Sequence, residues 1–461
     1  MPPNPLQKIF QIYLEAEGTN ELEVKFFTRK YEKISRIGFD NVIQMLKSKG
    51  FTIERPIGIY LLRIQNEFMD RKSGTVRMSN IRTEISALSN IKAYCNKNSF
   101  PLDNPPPYTS FYQKRHKIID GERIAPVNYD DFHFRVDLKE ENALQKNSGI
   151  INSILRKWTR SKKNFRFIKR FTFRHKDFPM KIDCSIVKNS NSHHGQFIPA
   201  YTIQEAGVFT NPENYEIEIE MDAPDALKAG NNTIDTLIAK MKRVVLFVLG
   251  AIQETNFPIG TNEQKKVIQS YLRLIDKSQK KEASPSDFIG PSSISLEMSN
   301  IVPINPESKA ANIRNPYTVT EKADGLRKLL YIAPKGKIYL LNTNMQVQFT
   351  GCKCQNAQLY DTLLDGEHVL HDKLGKFINL FLVFDIYFRT GKDLRSLPFI
   401  DTQTLAYPKT RLSAVNAVLE AINIVSITGK DKPALSVKAK TFYKSDGDSI
   451  FKSCKKILDN V

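Results

Sequence analysis

The sequence has few cysteines and no long apolar run, and each shortage excludes a class of protein. Five cysteines, an odd number scattered over 461 residues, argue against a disulfide framework and for a reducing compartment. Cys352 and Cys354 have no second cysteine or histidine pair at zinc spacing. No run of about eighteen apolar residues could cross a membrane, and residues 1–5 lack the features of a signal peptide. We therefore expect a soluble, intracellular protein without a membrane partner.

Acidic residues are outnumbered by basic ones. The chain has 68 lysines and arginines against 49 aspartates and glutamates, which gives a formal net charge of +19. A surplus of this size says little about the fold, but it indicates a partner of opposite charge, and we expect that partner to be a polyanion. The 41% of hydrophobic residues supports globular domains, and the length predicts two or three of them.

The chain divides into a β-rich part and a mixed part. Over 21–222, apolar and polar residues alternate in segment after segment, which is typical of strands with one buried face. Residues 233–249 and 263–275 have helical apolar spacing, and the polar, proline-bearing stretch 279–286 is the best candidate for a boundary. Beyond this stretch, strands mix with an amphipathic helix in an α+β pattern. We predict a domain over 1–255, a helix and linker over 256–286, and a second domain over 287–461.

Two acidic ladders stand near the two ends of the β-rich part. Alternation places Glu21, Glu23 and Lys25 on one face of a strand, and it places three glutamates of 215–220 on one face of another. An exposed acidic ladder can simply aid solubility. Like charges along a strand nevertheless destabilise it unless cations or a metal lie opposite. Two ladders therefore favour a shared, charged interior.

The strands between the ladders carry side chains that could oppose them. Their polar faces include Arg135, Lys139, Arg170, Arg174, Lys181 and Asp183. A closed antiparallel β-barrel, with its apolar face outward against helices and its charged face inward, would use all of them. Carboxylate oxygens suit Mg²⁺ or Mn²⁺, while inward arginine and lysine suit a phosphate group with several charges.

In this order, the motifs resemble those of the tunnel-type, metal-dependent RNA triphosphatases of fungal and large-DNA-virus capping enzymes. The resemblance covers residues 10–225 and implies hydrolysis of the γ-phosphate from 5′-triphosphate RNA ends. It implies that Glu21, Glu23 and either Glu218 or Glu220, with Glu220 favoured, hold the metal ion. One of the glutamates would also position the attacking water.

The same resemblance implies a set of phosphate ligands. Asp183 would orient a basic side chain or a water molecule. The family commonly has a lysine two residues before the arginine that Arg170 matches, whereas this chain has Ile168. Expected contacts of the triphosphate are Lys25, Arg135, Lys139, Arg170, Arg174 and Lys181.

The stretch 321–327, Glu-Lys-Ala-Asp-Gly-Leu-Arg, places Lys322 beside a carboxylate and a cation. A lysine is a nucleophile only where neighbouring cations, a metal or burial favour its neutral amine. Taken alone, the Asp-Gly pair could be a simple turn. Together with 288–291, 365–367 and 381–388, however, the stretch resembles the ordered motifs of the covalent nucleotidyltransferases. This superfamily contains the mRNA guanylyltransferases and the nucleic-acid ligases.

This second resemblance implies a lysyl-GMP intermediate. Lys322 would attack the α-phosphate of GTP and release pyrophosphate. Arg327 would contact the sugar or phosphates of the nucleotide, and Glu367 the ribose or a metal. Phe384 would stack on the base, since an aromatic ring holds a planar base at modest entropic cost.

Residues 437–443 resemble the segment that precedes the superfamily's later motifs. Neither those motifs nor the superfamily's OB-fold lid is found between this segment and Val461. We therefore expect a partial nucleotidyltransferase domain, as the front of a larger enzyme or half of a split one, impaired alone in guanylylation. A methyltransferase domain or subunit is a further expected partner. The location expected from the resemblance is the cytoplasm, with a viral factory or virion as alternatives.

The basic, aromatic stretch 156–167 has two interpretations, a solvated surface or an RNA guide at the tunnel. The function also has alternatives. The leading hypothesis is a bifunctional enzyme of mRNA cap formation, joining an RNA triphosphatase to a guanylyltransferase module. The alternatives are an ATP-dependent polynucleotide ligase-like enzyme and a non-catalytic scaffold that binds triphosphate RNA.

Overall fold

The computed structural model divides the chain into two units, Met1–Glu254 and Thr255–Val461. Residues 256–286, which the sequence assigned to a helix and linker, belong to the second unit. The structure describes residues 4–15, 20–27, 33–70, 73–100, 106–222, 233–307, 309, 311–400, 410–429, 435–445, 447 and 449–459.

Most of the first unit is a single antiparallel sheet. Its helices are α1 Pro5–Glu15, α2 Arg36–Ser48, α3 Leu88–Lys97, α4 Gly149–Arg156 and α5 Ile234–Ile252. Its strands are β1 Asn20–Phe26, β2 Thr52–Ile53, β3 Ile59–Met69, β4 Val76–Met78, β5 Ile81–Ser86, β6 Thr109–His116, β7 Ile118–Ile119, β8 Glu122–Arg123, β9 Val127–Tyr129, β10 Phe134–Ala143, β11 Lys163–His175, β12 Phe178–Asn189, β13 Ser192–His193, β14 Gln196–Phe197 and β15 Asn214–Met221.

Eight of these strands close into a barrel. The pairing runs β11-β12-β15-β1-β10-β6-β5-β3, and β3 pairs again with β11. The closing pair is long, since it extends from Lys163 opposite Asn66 to Arg170 opposite Ile59. Closure leaves no free edge in the ring. The predicted closed antiparallel barrel is therefore confirmed.

The alternation of the strands sends their apolar side chains outward against helices. Leu22 and Val24 of β1 are buried in a core that includes Met241 and Val248 of α5, together with residues of α1 and α2. A second outer core joins apolar residues of β3, β5 and β11 to α3 and α4, around the buried Trp158. Packing outside the barrel leaves the opposite face of each strand to its interior.

The second unit is built on an eight-stranded sheet. Its helices are α6 Thr261–Leu274, α7 Arg411–Ala421 and α8 Ser449–Asp459. Its strands are β16 Tyr317–Val319, β17 Leu326–Ile332, β18 Lys337–Asn342, β19 Val347–Cys354, β20 Thr362–His371, β21 Phe377–Arg389, β22 Lys392–Asp393, β23 Ile424–Ser426, β24 Ser436–Ala439 and β25 Tyr443–Ser445. The order is β22-β21-β20-β17-β18-β19-β23, with β24 parallel to β21.

Both faces of this sheet are covered. Tyr271 and Leu272 of α6 pack with Leu329 on one face, and Val415 and Val418 of α7 belong to the core on the other. The α+β class predicted for this part is confirmed. The helices predicted over 233–249 and 263–275 form as α5 and α6, and the helix predicted beyond the boundary, over 410–422, forms as α7. Within the described ranges, no helix is long and apolar enough to span a membrane.

Candidate active sites in the barrel and in the second unit

The interior of the barrel encloses a cavity of about 350 Å³ lined almost entirely by polar side chains. Eight cationic side chains face it against six carboxylates, so its net charge suits an anion with several charges. The charged lining residues are Glu21, Glu23, Lys25, Arg63, Arg82, Glu84, Lys114, Lys139, Glu141, Arg166, Arg170, Lys181, Glu218 and Glu220.

Glu23 lies at the centre of the first acidic ladder. Glu23 is 4% exposed, and its carboxylate lies 3.0 Å from Lys25 Nζ and 3.1 Å from Lys139 Nζ. Lys114 Nζ lies 3.4 Å from Glu23 and 2.5 Å from Glu21. Burial alone would raise the pKa of Glu23, but the charges of these lysines outweigh it and lower the pKa. Glu23 is therefore held as a carboxylate among three ammonium groups.

The second ladder meets the first across paired strands. Glu23 lies opposite Glu220 in the pairing of β1 with β15, and Lys25 lies opposite Glu218. Lys25 Nζ lies 3.1 Å from Glu218, and Lys181 Nζ lies 2.9 Å from Glu220. The two acidic ladders thus face one space, as their alternation predicted.

Two glutamates of β15 have pKa values that shift in opposite directions. Burial tends to raise the pKa of Glu218, but Lys25 and Arg170 outweigh burial and hold it well below its usual range. The pKa of Glu220 is raised, because burial dominates there and the neighbouring charge of Glu21 adds to it, while Lys181 opposes both. Neighbouring carboxyls whose pKa values are driven apart are suited to different roles in one site.

Arg170 and Asp183 contact each other beside the second ladder. Arg170 Nη1 lies 2.9 Å from Asp183 Oδ2, and Arg170 Nη2 lies 3.6 Å from Glu218. Asp183 also accepts a hydrogen bond from the Thr172 hydroxyl at 2.6 Å. The aspartate therefore fixes the guanidinium that faces the cavity.

Two of the expected phosphate ligands do not line the cavity. Arg174 is held between Glu54 and Asp222 at one end of the barrel, and Arg135 lies 3.8 Å from Asp137. For Arg174 the reason is that β3 begins at Ile59, opposite Arg170, so this arginine extends beyond the closed part of the ring. Correct alternation therefore does not by itself place a side chain inside a tilted barrel.

Part of the barrel interior is apolar. Ile168 lies between Arg166 and Arg170 in the inward phase of β11 and is fully buried against Leu61 and Val187. The position where the resembled family commonly has a lysine is thus occupied by an apolar contact across three strands. The inward face therefore combines the charged lining of the cavity with an apolar contact at Ile168.

Sequence reasoning missed several charged residues of the cavity. Arg63 Nε lies 2.8 Å from Glu84 Oε2, and Arg82 Nη2 lies 2.7 Å from Glu141 Oε1. The signal was present, because β3 and β5 alternate in the same way as β1. Lys114 is a further member, through its contacts with the first ladder.

The carboxylates of the cavity suit a divalent metal in ligand type. Glu21, Glu23 and Glu220 offer hard oxygen atoms on two paired strands. Across the described ranges, however, no three histidine, cysteine or acidic side chains already converge in the way a bound ion requires. Lysine ammonium groups contact the same carboxylates, so a metal would compete with them.

In the second unit, Arg327 is fixed by a buried carboxylate. It lies on β17 and donates to Asp365 at 2.6 and 3.2 Å and to the carbonyl of Pro291 at 2.6 Å. Asp365 is fully buried and also accepts a 2.5 Å hydrogen bond from Tyr387. Gly290 has a φ of +130°, and a Cβ there would lie 2.4 Å from Arg327 Nη2, so glycine permits this close approach.

Glu367 and Phe384 lie beside this arginine. Glu367 is opposite Arg327 in the pairing of β17 with β20. Its Oε2 is buried without a hydrogen-bond partner among the described residues. The guanidinium of Arg327 and Nζ of Lys440 each lie 5.6 Å from the centre of the Phe384 ring. The sequence did not single out Lys440, although it belongs to 437–443.

Lys322 lies in the irregular segment before β17 and is exposed. It forms no ion pair with any residue in the described part of the chain. Its segment is anchored by the residues that follow β24, because Lys440 Nζ donates to the carbonyl of Glu321 at 3.2 Å and Thr320 donates to the carbonyl of Thr441 at 2.8 Å. The backbone around Lys322 is therefore held while its amine is free.

The basic stretch is partly structural. Lys163 is fully buried, and its ammonium donates to the carbonyls of Trp158 and Ser161, both at 2.7 Å. Arg166 pairs with Glu216 at 2.6 Å, while Lys162 is exposed. Lys163 is therefore not available to bind RNA. The RNA-guiding role considered from the sequence is left to exposed residues of the stretch, such as Lys162.

The second unit coincides with a family match. Residues 253–459 match the model of the mRNA capping enzyme, catalytic domain. Over 260 residues, the chain is 29% identical to a probable mRNA-capping enzyme of Acanthamoeba polyphaga mimivirus. The aligned region covers 55% of this chain and 19% of that protein. The chain thus spans about a fifth of the length of this relative.

Similar solved structures include the RNA triphosphatase Pct1 of S. pombe, with 13% identity, a TM-score of 0.31 and coverage of 54% of this chain and 93% of that one. Pct1 in complex with the Spt5 CTD gives a TM-score of 0.27 at the same identity, covering 54% and 92%. The ligase and scaffold alternatives receive no support from these comparisons. Residues 253–459 are therefore similar to the catalytic domain of the mRNA capping enzymes.

Proposed function

We propose that the protein forms mRNA 5′ caps, with the barrel hydrolysing the γ-phosphate of 5′-triphosphate RNA. The observation that carries this proposal is the closed barrel with both acidic ladders and eight cations around one cavity. Charge of this density suits a triphosphate better than a neutral ligand.

In this proposal, Glu21, Glu23 and Glu220 hold Mg²⁺ or Mn²⁺, which supplies a Lewis acid for the phosphoryl group. Lys181, Arg170 and the other lining cations neutralise the phosphate oxygens as the bond to the β-phosphate breaks. Water adds to the γ-phosphorus and loses a proton, and the products are inorganic phosphate and a 5′-diphosphate RNA end.

Burial raises the pKa of Glu220, and this glutamate would bind the metal ion as a carboxylate, while one of the glutamates positions the attacking water. Glu218, whose pKa is lowered by Lys25 and Arg170 after burial is outweighed, remains ionised and holds those two cations in place. These assignments give the two glutamates of one strand separate roles.

Substitution of single glutamates tests the barrel site. In Glu21→Ala and Glu220→Ala, we expect release of the γ-phosphate in the presence of Mg²⁺ or Mn²⁺ to fall at least about a hundredfold. Glu15→Ala is the matched control, because Glu15 is an exposed glutamate on α1 outside the barrel. Full activity in both cavity variants would contradict the assignment of Glu21 and Glu220 to the site of γ-phosphate hydrolysis.

We further propose that the second unit carries a guanylyltransferase module. Its lysine amine would attack the α-phosphorus of GTP, forming a P–N bond as the bond to pyrophosphate breaks and the amine loses a proton. Arg327, fixed by Asp365, would hold the phosphates or sugar, and Oε2 of Glu367, which has no hydrogen-bond partner among the described residues, would accept from a ribose hydroxyl. Phe384 would stack on the base.

Covalent labelling tests this second site. With GTP labelled at the α-phosphate, label on the protein should depend on Lys322 and disappear in Lys322→Ala. Lys353→Ala, a change of an exposed lysine on β19, should retain it. Label that persists without Lys322 would contradict the assignment, and a preference for labelled ATP would favour a ligase.

A further inference from the structure

A second cavity adjoins the barrel interior at one mouth. It measures about 520 Å³ and shares Asn80 and Lys114 with the interior cavity. It lies where β6 extends beyond the start of β5, since Ile81 pairs with Gln113 and leaves the last residues of β6 without β5 beside them. We call this second cavity the mouth cleft. Its other lining residues are Arg115, His116, Ile118, Arg123 and Glu140.

A tight hairpin shapes the mouth cleft. Strands β7 and β8 are joined by Asp120 and Gly121, both with positive φ, of 51° and 81°, which is the two-residue turn that favours Asp-Gly. The turn places Arg123 opposite Ile118 in the hairpin register. Ile118 is 62% exposed. The hairpin therefore presents an arginine and an apolar side chain to the same cleft.

The arginines of the mouth cleft do not pair with its carboxylate, because Glu140, opposite Arg115 in the pairing of β10 with β6, contacts Lys117 Nζ at 2.7 Å. Neither Arg115 nor Arg123 forms an ion pair with a described residue, and both are exposed. Partial burial lowers the pKa of His116, and the charges of Arg123, Lys139 and Arg135 lower it further, although Asp137 opposes them. Three cations, Lys114, Arg115 and Arg123, against the one carboxylate Glu140 give the lining of the cleft a positive net charge.

The opposite mouth differs. There Arg174 is held by both Glu54 and Asp222, so its charge is matched by carboxylates, and the exposed Arg55 is a single arginine without an ion pair to a described residue. A polynucleotide whose triphosphate end occupies the interior must leave through one mouth. Backbone phosphates are attracted to cations that have no carboxylate partner. Two such arginines line the mouth cleft, which shares Asn80 and Lys114 with the interior cavity, and this favours the cleft as the exit path of the chain.

We propose that the mouth cleft binds the first nucleotides of the RNA, with Arg115 and Arg123 on backbone phosphates and Ile118 against a ribose or base. This proposal rests on the proposed triphosphatase activity of the barrel. It gives the site a preference for a triphosphate on an RNA chain over a free nucleoside triphosphate, because only the RNA reaches the cleft.

Kinetics with two substrates test this proposal. For the double variant Arg115→Gln/Arg123→Gln, we expect KM for 5′-triphosphate RNA to rise about tenfold, with kcat nearly unchanged. Hydrolysis of free GTP should keep its KM. The salt dependence of RNA affinity should flatten by about 0.7 in logarithmic slope for each arginine removed.

Arg55→Gln is the matched control, because Arg55 is an exposed arginine near the opposite mouth. An unchanged KM for RNA in the double variant, or a rise confined to Arg55→Gln, would overturn the proposal. RNA affinity measured by fluorescence anisotropy in a chelator separates this failure from loss of the proposed activity. If the double variant binds RNA about tenfold more weakly than the unsubstituted protein, the result supports RNA binding in the mouth cleft even where turnover is absent. If the double variant and the unsubstituted protein bind RNA equally while turnover is present, the result contradicts it.

Discussion

The barrel cavity and the Lys322 segment differ in whether their proposed functional side chains are buried and ion-paired. In the barrel, Glu23 is 4% exposed and contacts three ammonium groups. In the second unit, Lys322 is exposed and has no ion pair among the described residues, while Arg327 is fixed by the buried Asp365. In the barrel the proposed functional groups also hold the fold together. In the second unit the proposed nucleophile is separate from the groups that do so.

The largest effect is expected for Glu23→Ala. Removing this carboxylate leaves Lys25, Lys114 and Lys139 without their shared partner, so the free energy of unfolding should fall by about 3 kcal/mol. Phosphate release should fall at least about a hundredfold. Urea unfolding and a phosphate-release assay measure the two effects, with Glu15→Ala as control. Loss of activity at unchanged stability would show that the cavity is not held together by its functional residues.

A buried and an exposed ion pair of the second unit provide the next comparison. Asp365→Ala leaves Arg327 and the Tyr387 hydroxyl without their acceptor, so we expect a loss of about 3 kcal/mol in the free energy of unfolding. Asp393→Ala breaks an exposed pair with Arg395 and should lose no more than about 1 kcal/mol. Chemical denaturation of both variants checks the difference. Equal losses would contradict the structural role of Asp365.

The pH dependence of the barrel follows from Glu220. Burial raises the pKa of its carboxyl, Lys181 opposes the increase, and Glu21 adds to it. Activity that requires the carboxylate is lost as pH falls through this raised pKa. Lys181→Met removes the opposing charge, so the acidic limb of the pH–rate profile should move to higher pH. A limb that stays in place, or moves to lower pH, would exclude Glu220 as the titrating group.

The smallest change in the free energy of unfolding is expected for Lys322→Ala. Because this side chain is exposed and unpaired with described residues, the free energy of unfolding should change by less than about 0.5 kcal/mol. Lys440→Ala is the comparison, since Lys440 is 8% exposed and donates to the backbone of Glu321. It should lose more stability than Lys322→Ala under the same denaturation conditions. The reverse order would show that Lys322 supports the fold.

The strand faces could be predicted from the sequence because alternation is a local property. Glu21 and Glu23 face the cavity as the period of two required. The placement of Arg174 could not be predicted, because it depends on the register between β11 and β3, whose pairing residues are about a hundred positions apart. The same register places Ile168 against Leu61 inside the barrel.

The candidate site of the second unit shows a similar division. The motif order led to Lys322, Arg327, Glu367 and Phe384 from the sequence. The contact of Lys440 with the Lys322 segment follows from the parallel pairing of β24 with β21. Such a long-range pairing leaves no periodic signal in the sequence.

The most direct test of the central proposal is phosphate release from 5′-triphosphate RNA labelled separately at the γ- and α-phosphates. After chelation, the protein should release neither label. When Mg²⁺ or Mn²⁺ is restored, it should release only the γ-label, and Glu220→Ala should abolish this release. Release of γ-phosphate that survives chelation, or that is equal in Glu220→Ala, would contradict a triphosphatase site in the barrel.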